Sequence, residues 1–131
     1  MTLVCVYGTL KSGHGNNRLL SGSKCISNGV LLDHKLYYSY GYSGFPVAKE
    51  DQDSNAMCEV YLVDDSSTLS RLDSLEGYRS STDSGMYLRR TGKVLNDDGS
   101  VVECCYYLGS DEFWDFNLMN ACPISNGTSK W

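Results

Sequence analysis

Two stretches of this sequence hold residues whose types and spacing suit proton transfer and anion binding. The first is Leu72-Asp73-Ser74-Leu75-Glu76-Gly77. Leucines at 69, 72 and 75 mark the apolar side of a helix. At about 100° per residue, Glu76 lies about 20° from Leu69 and about 40° from Leu72, so it projects from that apolar side. It also falls in the last helical turn, where the macrodipole disfavours an anion. Desolvation and the negative helix end both push its pKa upward. A carboxyl that titrates near neutrality can take a proton and give it back, which is what general acid–base catalysis needs. Two plainer readings stand beside this one. Glu76 bends out to water from the edge of the stripe, or it pairs with Arg79 or Arg89.

The second stretch is Leu3-Val4-Cys5-Val6-Tyr7-Gly8-Thr9-Leu10-Lys11-Ser12-Gly13. Five apolar or aromatic residues in a row predict a short buried strand. Gly8 breaks the run, and Gly13 and Gly15 keep the loop open. A buried strand entering a glycine turn brings backbone N–H groups into one small volume, which suits a carboxylate or a developing oxyanion. An ordinary turn after a core strand is the alternative.

These two stretches need elements to position them. Asn16-Asn17-Arg18-Leu19-Leu20 offers an Asn cap and helix formers. Residues 29–38 predict a strand. Residues 39–55 are rich in Gly, Ser, Tyr and Asp and predict a loop over the core, lid-like in position. Residues 56–63 predict a strand. Asp64-Asp65-Ser66-Ser67 caps a helix running to about Glu76, with Gly77 as its stop. Residues 79–85 predict a polar loop, and residues 86–95 a strand. Asn96-Asp97-Asp98-Gly99 is a hairpin turn, after which residues 100–108 return antiparallel. Ser110 caps a last short helix that packs through Phe113, Trp114, Phe116 and Leu118. The tail from Cys122 predicts irregular chain. About five strands and three short helices make an α+β fold whose mixed sheet rolls into a partial barrel.

The 131 residues predict one domain over positions 1–131. A net charge of −5 argues against nucleic acid or an anionic membrane as partner. No apolar run approaches the ~18 residues that span a bilayer. The N-terminus lacks a basic region followed by a long apolar one, so no signal peptide is expected. Cys5, Cys25, Cys58, Cys104, Cys105 and Cys122 contain no C-x-x-C, and most lie in or beside apolar stretches. Reduced thiols in a cytoplasmic protein follow as the expectation, which leaves the Asn126-Gly127-Thr128 sequon without a use. The loop from Gly8 to Gly15 is no P-loop, because no Lys-Ser or Lys-Thr follows its second glycine. His14 and His34 are expected at the surface. Tyrosines at 37, 38, 40 and 42 either pack the lid or stack on a ligand.

Taken together, Tyr7-Gly8-Thr9-Leu10-Lys11, the downstream Asn16 and Arg18, and Leu72-Asp73-Ser74-Leu75-Glu76-Gly77 resemble the gamma-glutamylcyclotransferase-like family, with the closest look to gamma-glutamylamine cyclotransferases. The strand Glu59-Val60-Tyr61-Leu62-Val63-Asp64, the segment Tyr87-Leu88-Arg89 and the strand ending at Tyr107 extend the resemblance over roughly residues 3 to 108. It implies a small mixed-sheet β-barrel with flanking short helices. It implies a substrate held by Tyr7, Gly8, Thr9 and Leu10, with Glu76 as the catalytic proton carrier. A tyrosine near the end of the last barrel strand joins the pocket in some members; Tyr107 matches, with Tyr106 as the alternative. The implied reaction closes a γ-glutamyl group on itself to give 5-oxoproline and a free amine, with no metal or cofactor. The partner would be a small γ-glutamyl amine or peptide. The rival from another class is a non-catalytic module that binds or sequesters a small metabolite on the same fold.

Overall fold

The computed structural model describes residues 2–8, 10–13, 15–38, 46–117, 122–123 and 128–129. The elements run β1 (Thr2–Val6), a 3-10 turn (Gly15–Leu20), β2 (Lys24–Tyr38), β3 (Pro46–Val63) and α1 (Ser66–Leu75). Then come β4 (Tyr78–Arg79), β5 (Ser84–Gly85), β6 (Tyr87–Asn96), β7 (Val101–Gly109), α2 (Asp111–Asn117), β8 (Cys122–Pro123) and β9 (Thr128–Ser129). Five strands close on themselves in the order β2-β6-β7-β1-β3, and β3 pairs back onto β2. Only the β1–β7 contact in this ring is parallel, so the barrel is mixed. This is the small mixed barrel with few short helices that the sequence predicts. Closure leaves the five strands no open edge around the ring.

Side-chain alternation divides the buried residues into two sets. Cys5 and Tyr7 of β1 join Leu31, Leu36, Ala48, Ala56, Cys58, Val60, Val94, Cys104 and Tyr106, all from barrel strands. These fill the barrel. Val4 and Val6 face the other way, with Val47, Tyr61, Val63 and Tyr107, and meet Leu20, Leu72 and Phe113 from the helical elements. The helices therefore cover the outside of the wall. α1 docks through Leu72, which is fully buried, and through half-buried Leu69.

Four expectations change. The helix after the glycine loop is only a 3-10 turn, Gly15–Leu20. The 39–55 loop is half strand: β3 begins at Pro46, and residues 46–50 and Asn55 pair with β2. Pro46 is tolerated as the first residue of a strand, where no ladder donor is needed. The rest of that segment, 39–45, with Tyr40 and Tyr42, lies outside the described residues. The 79–85 loop contains a miniature hairpin of β4 and β5, and the tail contributes the two short pairings β8 and β9. The other elements match within one or two residues apart from β2, which starts at Lys24 rather than 29. His14, the side chains of Phe116 and Leu118, and Asn126 and Gly127 of the sequon lie outside the described residues.

His34 is not at the surface. The register shifts between the Leu32–Asn55 and His34–Glu50 pairs, where Asp33, at φ 61°, stands alone opposite residues 51–54 of β3. The irregularity breaks the alternation along β2, so His34 points into the barrel rather than away from it. Its Nδ1 contacts the Leu32 carbonyl at 2.7 Å and its Nε2 the Tyr106 hydroxyl at 2.6 Å.

Leu72 is the main anchor of α1. Its truncation to Ala should destabilise the protein by about 2–5 kcal/mol, read as a lower urea midpoint with an unchanged denaturant slope. A loss below about 1 kcal/mol would mean that α1 is held by something other than this contact.

Candidate active site

The glutamate is placed by the end of α1. Asp65 caps the start, its carboxylate accepting from the Ser67 N–H at 2.9 Å. Glu76 is the C-cap residue, its N–H donating to the Leu72 carbonyl at 3.0 Å. Gly77 follows at φ 68°, a left-handed stop that side chains disfavour. The Gly77 N–H donates to the Ser74 carbonyl at 3.2 Å.

One turn earlier, Asp73 fixes the helix to the barrel wall. Arg89 of β6 and Tyr107 of β7 are direct cross-strand partners. The Arg89 guanidinium donates to one Asp73 oxygen at 2.7 Å, and the Tyr107 hydroxyl to the other at 2.7 Å. Two neighbouring strands thus present a two-point receptor for one carboxylate. Arg89 also lies over the Tyr78 ring, 5.5 Å from its centroid. Arg89 is committed to Asp73, so it is not the partner of Glu76.

The glycine loop is placed by the end of β1. The Lys11 N–H donates to the Gly8 carbonyl at 2.9 Å and closes a turn. Asn17 donates to the Leu10 carbonyl at 2.8 Å and to the Tyr61 hydroxyl at 3.0 Å. Glu59 accepts from the Ser12 N–H at 2.7 Å. The Tyr7 hydroxyl donates to the Tyr107 carbonyl and accepts from the Ala48 N–H at 3.3 Å. Burial pushes the Tyr7 phenol well above its ordinary pKa, so it stays protonated. A side chain at Gly8 would meet Pro46 Cγ at 2.9 Å, so the loop packs against the start of β3 only because Gly8 has none.

The two stretches meet at one cavity of about 190 Å³. Tyr7, Gly8, Leu10 and Tyr107 line it, and so does Glu76; Thr9 lies outside the described residues. Tyr106 points into the barrel beside His34 instead, so of the two alternative tyrosines it is Tyr107 that reaches the cavity. Sequence reasoning missed Cys5, Val6, Pro46, Ser74, Met86 and Tyr87 as wall residues. Pro46 was hidden in a segment that reads as loop. Met86 and Tyr87 read only as strand, and nothing local in the sequence marks them.

Part of the Glu76 surface is reached from the cavity, but the packing around its carboxyl strips most of its water and pushes its pKa up to about 7. A rise from 4.5 to about 7 is worth about 3 kcal/mol. A helix end contributes only about 0.3–1 kcal/mol, so desolvation carries most of the effect. Among the described residues, no group of three or more His, Cys, Asp or Glu could hold a metal ion.

Fold and cavity together define a small mixed barrel with one ionisable acid facing a glycine loop. A family model described as gamma-glutamyl cyclotransferase, AIG2-like, matches residues 4–123, and the chain belongs to that family. Its fold is shared by a solved gamma-glutamyl cyclotransferase, 21% identical with a TM-score of 0.65, the match covering 83% of this chain and 66% of that one. An uncharacterized protein from Pyrococcus horikoshii is 21% identical over 91% of this chain and 95% of its own, with a TM-score of 0.59. An uncharacterized protein from Homo sapiens is 20% identical over 84% and 67%, with a TM-score of 0.68. No curated protein sequence matches the chain.

Two stability measurements check this description. Asp73→Ala leaves Arg89 and Tyr107 without their acceptor, and should cost about 2–4 kcal/mol, in line with removing one partner from a partly buried ion pair. For Glu76, the folded carboxyl holds its proton more tightly than the unfolded one. Its contribution to stability is complete below about pH 4.5 and is lost as the pH rises through about 7. Stability of the native protein relative to Glu76→Gln should therefore fall by up to about 3 kcal/mol between pH 4.5 and 8 in urea titrations. Parallel pH profiles for the two proteins would contradict the burial of this acid.

Proposed function

We propose that this chain is a cyclotransferase that converts a γ-glutamyl amine or small γ-glutamyl peptide to 5-oxoproline and a free amine. Membership of the gamma-glutamyl cyclotransferase family supports the class of reaction. The observation that carries the reading is that Glu76 and the Gly8 loop line the same small cavity.

The chemistry asks little of the protein beyond folding the substrate and moving protons. The α-amino nitrogen and the γ-carbonyl carbon belong to one molecule, so holding them together replaces a bimolecular encounter. Ionised Glu76 takes a proton from the substrate ammonium. The freed amine attacks the γ-carbonyl carbon and closes a five-membered ring. The carbonyl oxygen carries negative charge until the carbonyl re-forms. The bond to the leaving nitrogen then breaks as Glu76 returns its proton to that nitrogen, and the carboxylate takes the second proton from the ring nitrogen, leaving a neutral lactam, and passes it to the released amine, which departs as an ammonium. A carboxyl of pKa about 7 suits both halves, because it is neither too weak a base to accept the proton nor too weak an acid to return it.

The loop at Gly8 and Leu10 would hold the substrate through backbone groups, with Thr9 as the third loop member. Tyr7, protonated and pinned between two backbone groups, gives the cavity floor a fixed shape. Tyr107 takes part through its position, its hydroxyl being engaged by Asp73. A cytoplasmic setting is part of the proposal, consistent with free thiols at Cys5, Cys25, Cys58, Cys104 and Cys105.

The test is a panel of γ-glutamyl amides assayed for 5-oxoproline. Glu76→Gln should lower kcat by about 10²–10⁴-fold while substrate binding persists, because the amide keeps the shape and cannot carry the proton. In the native enzyme kcat/KM should rise with pH through about 7, as the carboxyl ionises. Equal turnover by the variant would remove Glu76 from the mechanism.

A further inference from the structure

The cavity wall has two unlike ends. Cys5, Tyr7, Leu10, Pro46, Tyr87 and Tyr107 are buried and form its floor. Leu75 and Met86 also line it, yet are 41% and 40% exposed, so the mouth lies between the end of α1 and the start of β6. Glu76 follows Leu75 in the chain and lines the same cavity. A side chain added at Gly77 would touch Met86 Cβ and Sδ at 3.9 Å, so Met86 lies across the residue after the acid. Its backbone is fixed, the Ser110 N–H donating to the Met86 carbonyl at 2.9 Å.

No Lys, Arg or His lines the cavity among the described residues. Two cations of the adjoining strand are engaged elsewhere: Arg89 by Asp73 at 2.7 Å and Arg90 by Asp83 at 2.8 Å. Glu76 is the single charged group on the wall among the described residues.

Building on the proposed reaction, we infer that the leaving amine of the substrate is uncharged and apolar, and that Met86 and Leu75 select it at the mouth of the cavity. The γ-glutamyl half occupies the floor by the glycine loop. The departing nitrogen must lie within reach of Glu76, which directs the rest of the leaving group outward past Leu75 and Met86. An alkyl or aryl group there covers two exposed hydrophobes and loses water at no polar cost. A leaving group with its own carboxylate would shed water without a cation to receive it, beside an acid that must ionise to work. One with a second ammonium would pair with Glu76 and hold it ionised when it should return its proton.

The test compares three γ-glutamyl amides by 5-oxoproline release: benzylamine, alanine and 1,4-diaminobutane as leaving groups. The benzylamide should show at least tenfold higher kcat/KM than either charged rival, the scale on which an apolar subsite discriminates. Met86→Arg should cut the benzylamide-to-alanine ratio at least tenfold by supplying the missing cation, and Leu75→Arg should shift it in the same direction. Both side chains are exposed, and an unchanged Tm will show that neither variant is misfolded. A second arm measures binding by calorimetry with the matching glutaric acid monoamides, which lack the α-amino group and cannot cyclise. The benzylamide should again bind at least tenfold tighter than the alanine amide. Equal or reversed preference in that arm, or a ratio insensitive to both arginine variants, overturns the inference. Absence of 5-oxoproline from every amide with the binding order intact overturns the proposed reaction and leaves the apolar mouth standing.

Discussion

The grip of Asp73 on Arg89 and Tyr107 is the constraint from which the site follows. A helix lying on a barrel is free to slide or rotate if only apolar contacts hold it, because such contacts have no direction. Leu72 supplies the burial, but Asp73 supplies the register. Its two oxygens are taken by groups on adjacent strands whose spacing is set by the β6–β7 ladder. Charge-assisted hydrogen bonds of this kind are shorter and more directional than neutral ones. With that point fixed, the C-cap residue three positions on has little freedom, and Glu76 faces the cavity rather than solvent.

The same two strands organise the floor. Tyr107 offers its hydroxyl to the helix and its carbonyl to Tyr7, so one residue links α1 to the end of β1. Tyr7 in turn accepts from Ala48 on β3. The helix that carries the acid, the end of β1 and the start of β3 are thus tied through a short chain of buried and part-buried hydrogen bonds. The parallel β1–β7 contact makes this possible, since it sets the C-terminal ends of both strands side by side. A purely antiparallel meander would put those ends at opposite rims of the barrel.

How far the sequence revealed this depends on which physical signal each element carries. The strand before Gly8, the helix between Asp65 and Gly77 and the hairpin at Asn96 to Gly99 carry strong local signals, and the structure has all three. The leucine spacing that set Glu76 on an apolar face needed only helical geometry. β3 was half hidden because residues 49–53 are polar and mostly exposed; Lys49 and Glu50 are strand through pairing with β2 and not through any propensity of their own. His34 was misplaced because the register irregularity at Asp33 inverts the side chains of β2 after it, and on β2 it is signalled only by Asp33, a residue that tolerates a positive φ. The Asp73 clamp joins three elements far apart in the chain, so no window of sequence contains it.

Glu76 breaks two local rules at once: an acid on the buried side of a helix, and an acid at its negative end. Either alone is tolerable; together they make ionisation near neutral pH unfavourable by a substantial part of a small protein's stability. Chains under no functional demand lose such residues easily, since Gln or Leu would serve the packing better. Here the surrounding structure is arranged to keep the group in place: a capped helix, a left-handed glycine stop, a two-point clamp one turn before it, and a tyrosine-lined floor beneath. Local rules give way at one residue while everything next to it obeys them. That is the pattern expected where strain is retained for chemistry, and it singles out Glu76 more sharply than its burial alone would.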